Sequence, residues 1–158
     1  MAEGPVYLTT FIEGVLVHGS GTPFVLLAPS QHSPHKGLLM HPQVPWSPGF
    51  LPPALLQNLI SGSWRIPFRF VDASRLPVVF DERTSRLPTP WLLRLEGLEG
   101  QQRLYITHLL RTKTADDQLP DPPEGAQWVG EKALASIDLQ PGVRRLCQSA
   151  LQAVKEMS

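Results

Sequence analysis

The chain has 158 residues, the size of one domain, and its 14 basic and 14 acidic residues cancel to a formal charge of zero. This balance argues against a general nucleic-acid binder, and no apolar run approaches the length of about 18 residues that spans a membrane. The N-terminus lacks a basic region followed by an apolar one, so we expect a single cytoplasmic domain over residues 1–158.

Charge is unevenly distributed along the chain. No Asp or Glu occurs between Gly14 and Val71, and that stretch is rich in Pro, Leu and His. Arginines are concentrated between Arg65 and Arg111, and an acidic segment follows between 115 and 131. Apolar, basic and acidic regions therefore follow one another, and the uncharged region is suited to burial against a partner.

The first half of the chain predicts a β-hairpin and one helix. β-Branched and aromatic residues over 6–18 and the apolar run over 24–28 are separated by a Gly-rich break, which is typical of a hairpin. A loop rich in Pro and His follows over 29–48, with room for a short strand at 38–40. Pro52 and Pro53 are suited to the first turn of a helix, whose apolar stripe ends at Gly62.

The second half predicts more strands and a terminal helix. Strands are expected over 64–70 and 76–80, and a hairpin joins 91–96 to 101–112. An acidic, Pro-rich loop precedes a short strand at 127–129 and a helical turn at 131–137. The last helix has one continuous apolar stripe: Val143, Leu146, Cys147, Ala150, Leu151 and Val154. These elements favour an α+β sandwich of mixed or antiparallel strands.

This order of elements resembles the Nudix hydrolase fold over most of the chain. The similarity rests on the opening strands over 11–29, on the strand around Tyr105-Ile-Thr-His-Leu-Leu-Arg111, and on the ending from Pro123 through Trp128 to Val143. The resemblance implies a mixed sheet with a mid-chain helix and a C-terminal amphipathic helix. It also implies pyrophosphohydrolase activity with Mg²⁺ or Mn²⁺.

The Nudix box, however, has no match at its functional positions. The best alignment puts Pro42 and Gly49 on the family's Pro-Gly and Gly-Glu positions. Val44 then stands at the glycine of the box and Phe50 at its first glutamate. Asn58 and Leu59 stand at the Arg-Glu pair, and Gly62 and Ser63 stand at the Glu-Glu pair. Because Mg²⁺ requires several anionic oxygens, this segment is predicted to lack the family's metal site.

Histidines and the single cysteine are further candidates for a metal or catalytic site. His32, His35 and His41 have spacings that a Zn²⁺ site could use, but no Cys or carboxylate lies near them in sequence, so exposed loop histidines are expected. Cys147 and His108 fall on apolar faces and are predicted to be core residues.

The acidic loop offers the only dense group of carboxylates: Asp116, Asp117, Asp121 and Glu124. These groups are weak candidates for Mg²⁺ or Mn²⁺ binding, and Glu124 is a weak candidate for a general base because it matches a late acidic position of the family. A solvated connecting loop is the alternative.

Arginines and tryptophans are the candidate ligand residues. Arg65, Arg69 and Arg103 alternate with apolar residues, so they are expected on the sheet face opposite the core, where they could grip a phosphate. Trp46 and Trp64 could stack on a base beside it. A solvated face of charged residues is the competing interpretation.

The leading hypothesis is a Nudix-like domain that binds a nucleotide-like or phosphorylated ligand, or a partner, without metal-dependent hydrolysis and with no cofactor. One alternative is a nucleoside diphosphate hydrolase whose metal lies on the 116–124 loop. Another is an interaction module, such as a homodimer, that buries the uncharged region.

Overall fold

Two twelve-residue strands, β1 (Tyr7–His18) and β7 (Gln101–Thr112), pair in parallel at the centre of the structure. This structure is a computed structural model, and it describes residues 7–32, 35–73, 87–98 and 100–157. The other strands are β2 (Phe24–Pro29), β3 (Leu39–Met40), β4 (Gln43–Pro45), β5 (Phe68–Phe70), β6 (Leu92–Leu98) and β8 (Gln127–Gly130). The helices are α1 (Pro52–Leu56), α2 (Glu131–Leu134) and α3 (Pro141–Glu156).

The remaining strands extend the sheet on both sides of this central pair. β2 and β4 lie antiparallel to β1 on one side, whereas β5 and β6 lie antiparallel to β7 on the other. β2 in turn pairs with β3 and β8. Among the described strands, the two ends of the sheet do not pair with each other, so the sheet is open.

Each face of the sheet packs against a core over part of its area, and side chains of the central strands alternate between the two cores. Val15, Val17 and Leu109 pack with α2 and α3 on one face. Ile12, Leu16 and Leu110 pack with α1 on the other. The predicted α+β sandwich with a mid-chain helix and a C-terminal helix is therefore confirmed, and all six stripe residues of α3 are buried.

The mid-chain helix changes from α-helical to π-helical hydrogen bonding along its length. Pro52 and Pro53 occupy its first turn as predicted, since the N–H groups there have no helical partner. Residues Gln57–Ser63 continue α1 as a π-helical segment, in which the N–H of Trp64 donates to the carbonyl of Leu59 at 3.0 Å. The apolar stripe predicted the extent of the helix but not this wider turn.

Two strand predictions need correction. The strand expected over 64–70 is reduced to β5, because Trp64 closes the π-helical segment and Arg65 has a φ of 57°. The 29–48 loop contains β4 in addition to the predicted short strand. The strand predicted at 76–80 lies outside the described residues.

Both hairpins and the short strand before α2 are confirmed. Within the described part of the chain, no helix is long and apolar enough to cross a membrane.

Candidate ligand pocket

A cavity of about 190 Å³ lies where the end of β2, the start of β4, the π-helical segment and the acidic loop meet. Its walls include Ser30 and His32 after β2, Gln43 of β4, Leu59 and Trp64 from the π-helical region, and Glu124. Trp64 and Glu124 were both candidate site residues from the sequence. The fold brings them into one cavity although 60 positions separate them in the chain.

The described residues that line the cavity include one acid, Glu124, and no Lys or Arg. Glu124 is exposed. Burial lowers the pKa of His41, and burial together with the nearby charge of Arg103 lowers the pKa of His32. Both shifts favour the neutral imidazole.

The hydrogen bonds of the wall leave acceptors without donors. The backbone N–H of His32 and Nε2 of Gln43 both donate to Oγ of Ser30, at 3.2 and 3.4 Å. Within the described residues, Oε1 of Gln43 and Nδ1 of His41 are buried and have no hydrogen-bond partner. A buried polar atom without a partner lowers the stability of the protein. A bound group that forms a hydrogen bond with it would remove this cost.

The five candidate ligand residues do not form one group. Trp64 lines the cavity, whereas Trp46 is exposed after β4 and its backbone N–H donates to the carbonyl of Thr10 at 2.9 Å. Arg65 and Arg69 are exposed and do not line the cavity.

Arg103 departs from the expectation that it projects away from the core, because it is only 4% exposed. Its guanidinium lies 4.7 Å from the centre of the Phe11 ring, and Nη1 approaches the hydroxyl of Tyr105 at 3.5 Å. The expectation assumed one buried sheet face, but this sheet carries a core on each face.

The carboxylates of the acidic loop are dispersed. Asp116 accepts a 2.7 Å hydrogen bond from the hydroxyl of Ser20, which lowers its pKa, while Asp117 and Asp121 are exposed. Among the described residues, no three His, Cys, Asp or Glu side chains are placed to hold a metal ion.

The cavity also does not fit Mg²⁺ or Mn²⁺. It offers one carboxylate, Glu124, and the apolar Leu59, which the resemblance places at a glutamate of the box. Such ions prefer near-octahedral oxygen coordination that includes carboxylates.

The three loop histidines have separate partners, and two of them are not exposed as expected. His35 is buried because Nε2 bonds Oε1 of Glu96 at 2.9 Å and Nδ1 lies 3.0 Å from Nε2 of Gln140. His41 is buried beside Sγ of Cys147 at 3.8 Å. His32 packs edge-on against the ring of Phe11.

A buried polar network on the α3 side of the sheet was not predicted from the sequence. Glu13 of β1 accepts hydrogen bonds from Arg94 of β6 at 2.7 Å and from Thr107 of β7 at 3.0 Å. The Arg94 guanidinium also lies 3.8 Å from the centre of the Tyr105 ring, and the Tyr105 hydroxyl donates to Glu96 at 3.2 Å. Glu13 is an isolated acid in an apolar strand, and this was the one feature of the sequence that could have indicated the network.

Comparisons with known proteins agree on the fold. No protein-family model matches the chain, and no curated protein is significantly similar to it in sequence. A Nudix-family hydrolase from Clostridium perfringens superposes with a TM-score of 0.64 at 11% identity, covering 92% of this chain and 97% of that one. For the Ap4A hydrolase of C. elegans the TM-score is 0.58 at 12% identity, with 95% and 97% covered.

The NUDIX domain of Shewanella oneidensis NrtR, solved in complex with ADP ribose, gives a TM-score of 0.57 at 12% identity. Here 99% of this chain and 91% of that chain are covered. At such low identities the likeness establishes the fold alone. The chain has a Nudix-like fold, as the resemblance predicted.

Proposed function

We propose that this chain is a Nudix-like binding domain that holds a nucleotide-like ligand in the Trp64–Glu124 cavity without metal-dependent hydrolysis. The observation that carries the proposal is the composition of the cavity wall. Leu59 occupies the position that the resemblance assigns to a glutamate, and Glu124 is the one carboxylate present. A single carboxylate is too few for a metal that must bridge a diphosphate and activate water.

Two observations support a nucleotide-like ligand. Trp64 lines the cavity and is half-buried, and aromatic side chains stack on bases with little dependence on sequence. A neighbour with the same fold, the NUDIX domain of NrtR, was solved with ADP ribose. A cavity with an aromatic wall and a few polar groups is also typical of small-molecule sites.

Thermal-shift titration tests this proposal. The full chain is titrated with nucleotides and nucleoside diphosphate derivatives, once with EDTA and once with Mg²⁺ or Mn²⁺. We expect a ligand that raises the Tm equally under both conditions, because binding to the native state stabilises it by mass action. Trp64→Ala should reduce the shift, while Trp46→Ala, which changes an exposed indole outside the cavity, should not.

Two results would contradict the proposal. One is a shift that requires metal. The other is Mg²⁺-dependent turnover of a dinucleoside or sugar-nucleotide diphosphate that Glu124→Ala abolishes, and that result would support a hydrolase with its metal on the acidic loop.

A second candidate function is self-association through an exposed apolar face. Leu93 and Leu95 of β6 are 54% and 70% exposed, and their register partners Ile106 and Leu104 place them on the α1 side of the sheet. Leu8 of β1, 59% exposed, lies on the same side. Exposed leucines on one side of a sheet are a candidate interaction surface.

Light scattering at increasing protein concentration tests this second candidate. A dimer that Leu95→Lys converts to a monomer would support it, and a monomer at all concentrations would contradict it.

A further inference from the structure

We propose that the cavity receives the nucleobase of the ligand, specifically an uncharged heteroaromatic ring with an amino group, and that the phosphates remain outside it. This inference rests on the proposed function and identifies which part of the ligand the cavity recognises. Three properties of the cavity support it: its size, its charge and the polarity of its hydrogen-bonding groups.

The size of the cavity suits one ring system. Its volume is about 190 Å³, whereas pockets that enclose whole drug-sized ligands measure about 300–1,000 Å³. An apolar protein cavity of about 150 Å³ holds a benzene molecule. The cavity therefore has room for a base beside Trp64 and not for a base, sugar and diphosphate together.

The charge of the cavity disfavours a phosphate. The described lining contains the carboxyl group of Glu124 and no Lys or Arg, and the lowered pKa values of His32 and His41 favour their neutral forms. Phosphate sites in proteins normally supply Arg, Lys or backbone N–H groups at a helix N-terminus. A diphosphate in this cavity would face Glu124 with no Lys or Arg among the described residues of the wall.

Two acceptors of the wall favour a ligand that donates hydrogen bonds. The Glu124 carboxylate only accepts hydrogen bonds, and Oε1 of Gln43 is buried without a donor among the described residues. The terminal torsion of a Gln side chain is soft, so the amide can turn this oxygen toward a bound group. An exocyclic amino group on an aromatic ring supplies N–H donors, while the Trp64 indole offers a surface for the ring to stack on.

Isothermal titration calorimetry with the full chain provides the test. The ligands are adenosine and guanosine, their 5′-diphosphates, ribose 5-phosphate and inorganic pyrophosphate, all in EDTA. We expect at least one nucleoside to bind with a Kd within about threefold of its diphosphate, and no binding of ribose 5-phosphate or pyrophosphate.

The amino group is tested by pairs of ligands that differ only there. Adenosine is compared with purine riboside, and guanosine with inosine, because the second member of each pair lacks the exocyclic amino group. For the nucleoside that binds, we expect its partner to bind about tenfold more weakly, the usual effect of losing a hydrogen bond to a charged group.

Glu124→Gln should reduce this discrimination to about threefold or less. The matched control is Asp121→Asn, which removes the same charge from the same loop at an exposed residue outside the cavity wall, and it should leave the ratio unchanged.

The outcomes separate the two proposals. If diphosphates bind at least tenfold more tightly than their nucleosides, or if the analogues that lack the amino group bind equally well, the inference is overturned and the proposed function stands. If none of the ligands binds, both are overturned.

Discussion

The guanidinium of Arg94 donates a 2.7 Å hydrogen bond to a carboxylate oxygen of Glu13, and Glu13 is 0% exposed in the central strand β1. Thr107 of the intervening strand β7 donates to the other oxygen. Burial alone would lower the pKa of Arg94, but the charge and hydrogen bonds of Glu13, together with Tyr105 and Glu96, raise it overall. The pair therefore holds β6 and β1 together across β7 as an ion pair.

Arg94→Met should destabilise the protein strongly, since it leaves a buried carboxylate without its cation. The expected loss is about 3–5 kcal/mol in the free energy of unfolding, measured by urea denaturation at neutral pH. The double variant Glu13→Leu/Arg94→Met should recover most of this loss, because the unpaired charge is then gone. A loss below about 1 kcal/mol in Arg94→Met would show that the pair is not desolvated as described.

His108 should make the protein less stable in mild acid. Burial lowers its pKa to about 4 from 6.5, and neither ring nitrogen has a hydrogen-bond partner among the described residues. Below pH 6.5 the unfolded chain binds a proton at this residue that the folded chain does not, so stability falls as the pH decreases toward about 4.

This effect is measured by urea denaturation of the wild type and His108→Leu at about pH 7.5 and about pH 5.0. The wild type should lose about 2 kcal/mol more than the variant between these pH values. Equal losses in the two proteins would contradict the assignment of this dependence to His108.

Gly14 should be intolerant of any side chain. A Cβ at this position would lie 2.6 Å from Cδ1 of Leu110 and 3.4 Å from Cδ2 of Leu56, where β1 contacts β7 and α1. Gly14→Ala should therefore destabilise the protein by about 1–3 kcal/mol through overpacking.

Gly142 is the matched control, because a Cβ there would meet nothing within 4 Å. Gly142→Ala lies in the first turn of α3 and should leave the Tm unchanged or raise it, since alanine favours a helix more than glycine does. If both alanine variants melt alike, the close approach at Gly14 is not rigid.

Cys147 should be unreactive in the folded protein. Its side chain is buried on the inner face of α3, and burial raises the pKa of the thiol to about 12. Because the thiolate is the reactive form, a thiol reagent at about pH 8 should label the native chain only as fast as the chain opens. Labelling should become complete in denaturant, and rapid labelling of the native chain would contradict the burial.

Local patterns in the sequence determined the main elements of the fold. The apolar stripe predicted α3, and the paired prolines predicted the start of α1. Each of these patterns lies within a single short segment of the chain. The alternation in β7 identified a strand in the same way. Such patterns report which face of an element is buried, and that depends on residues close together in the chain.

Local patterns failed where one face of a strand was assumed to meet solvent. Arg103 alternates with apolar neighbours as an exposed residue would, yet it is buried against Phe11 and Tyr105 on a face of the sheet that carries a core of its own. The π-helical turn before Trp64 also escaped detection, since a stripe of 3.6-residue period carries no sign of a wider turn.

The sequence by itself therefore determined both main helices, the hairpins and the Nudix-like order of elements, and it contains no acid between Gly14 and Val71. Only the tertiary structure decided that Trp64 and Glu124 share a cavity, that Arg65 and Arg69 lie outside it and that Glu13 pairs with Arg94. The physical reason is that these relationships join segments far apart in the chain. Their meeting depends on strand register and on packing between layers, and neither leaves a periodic signal in either segment alone.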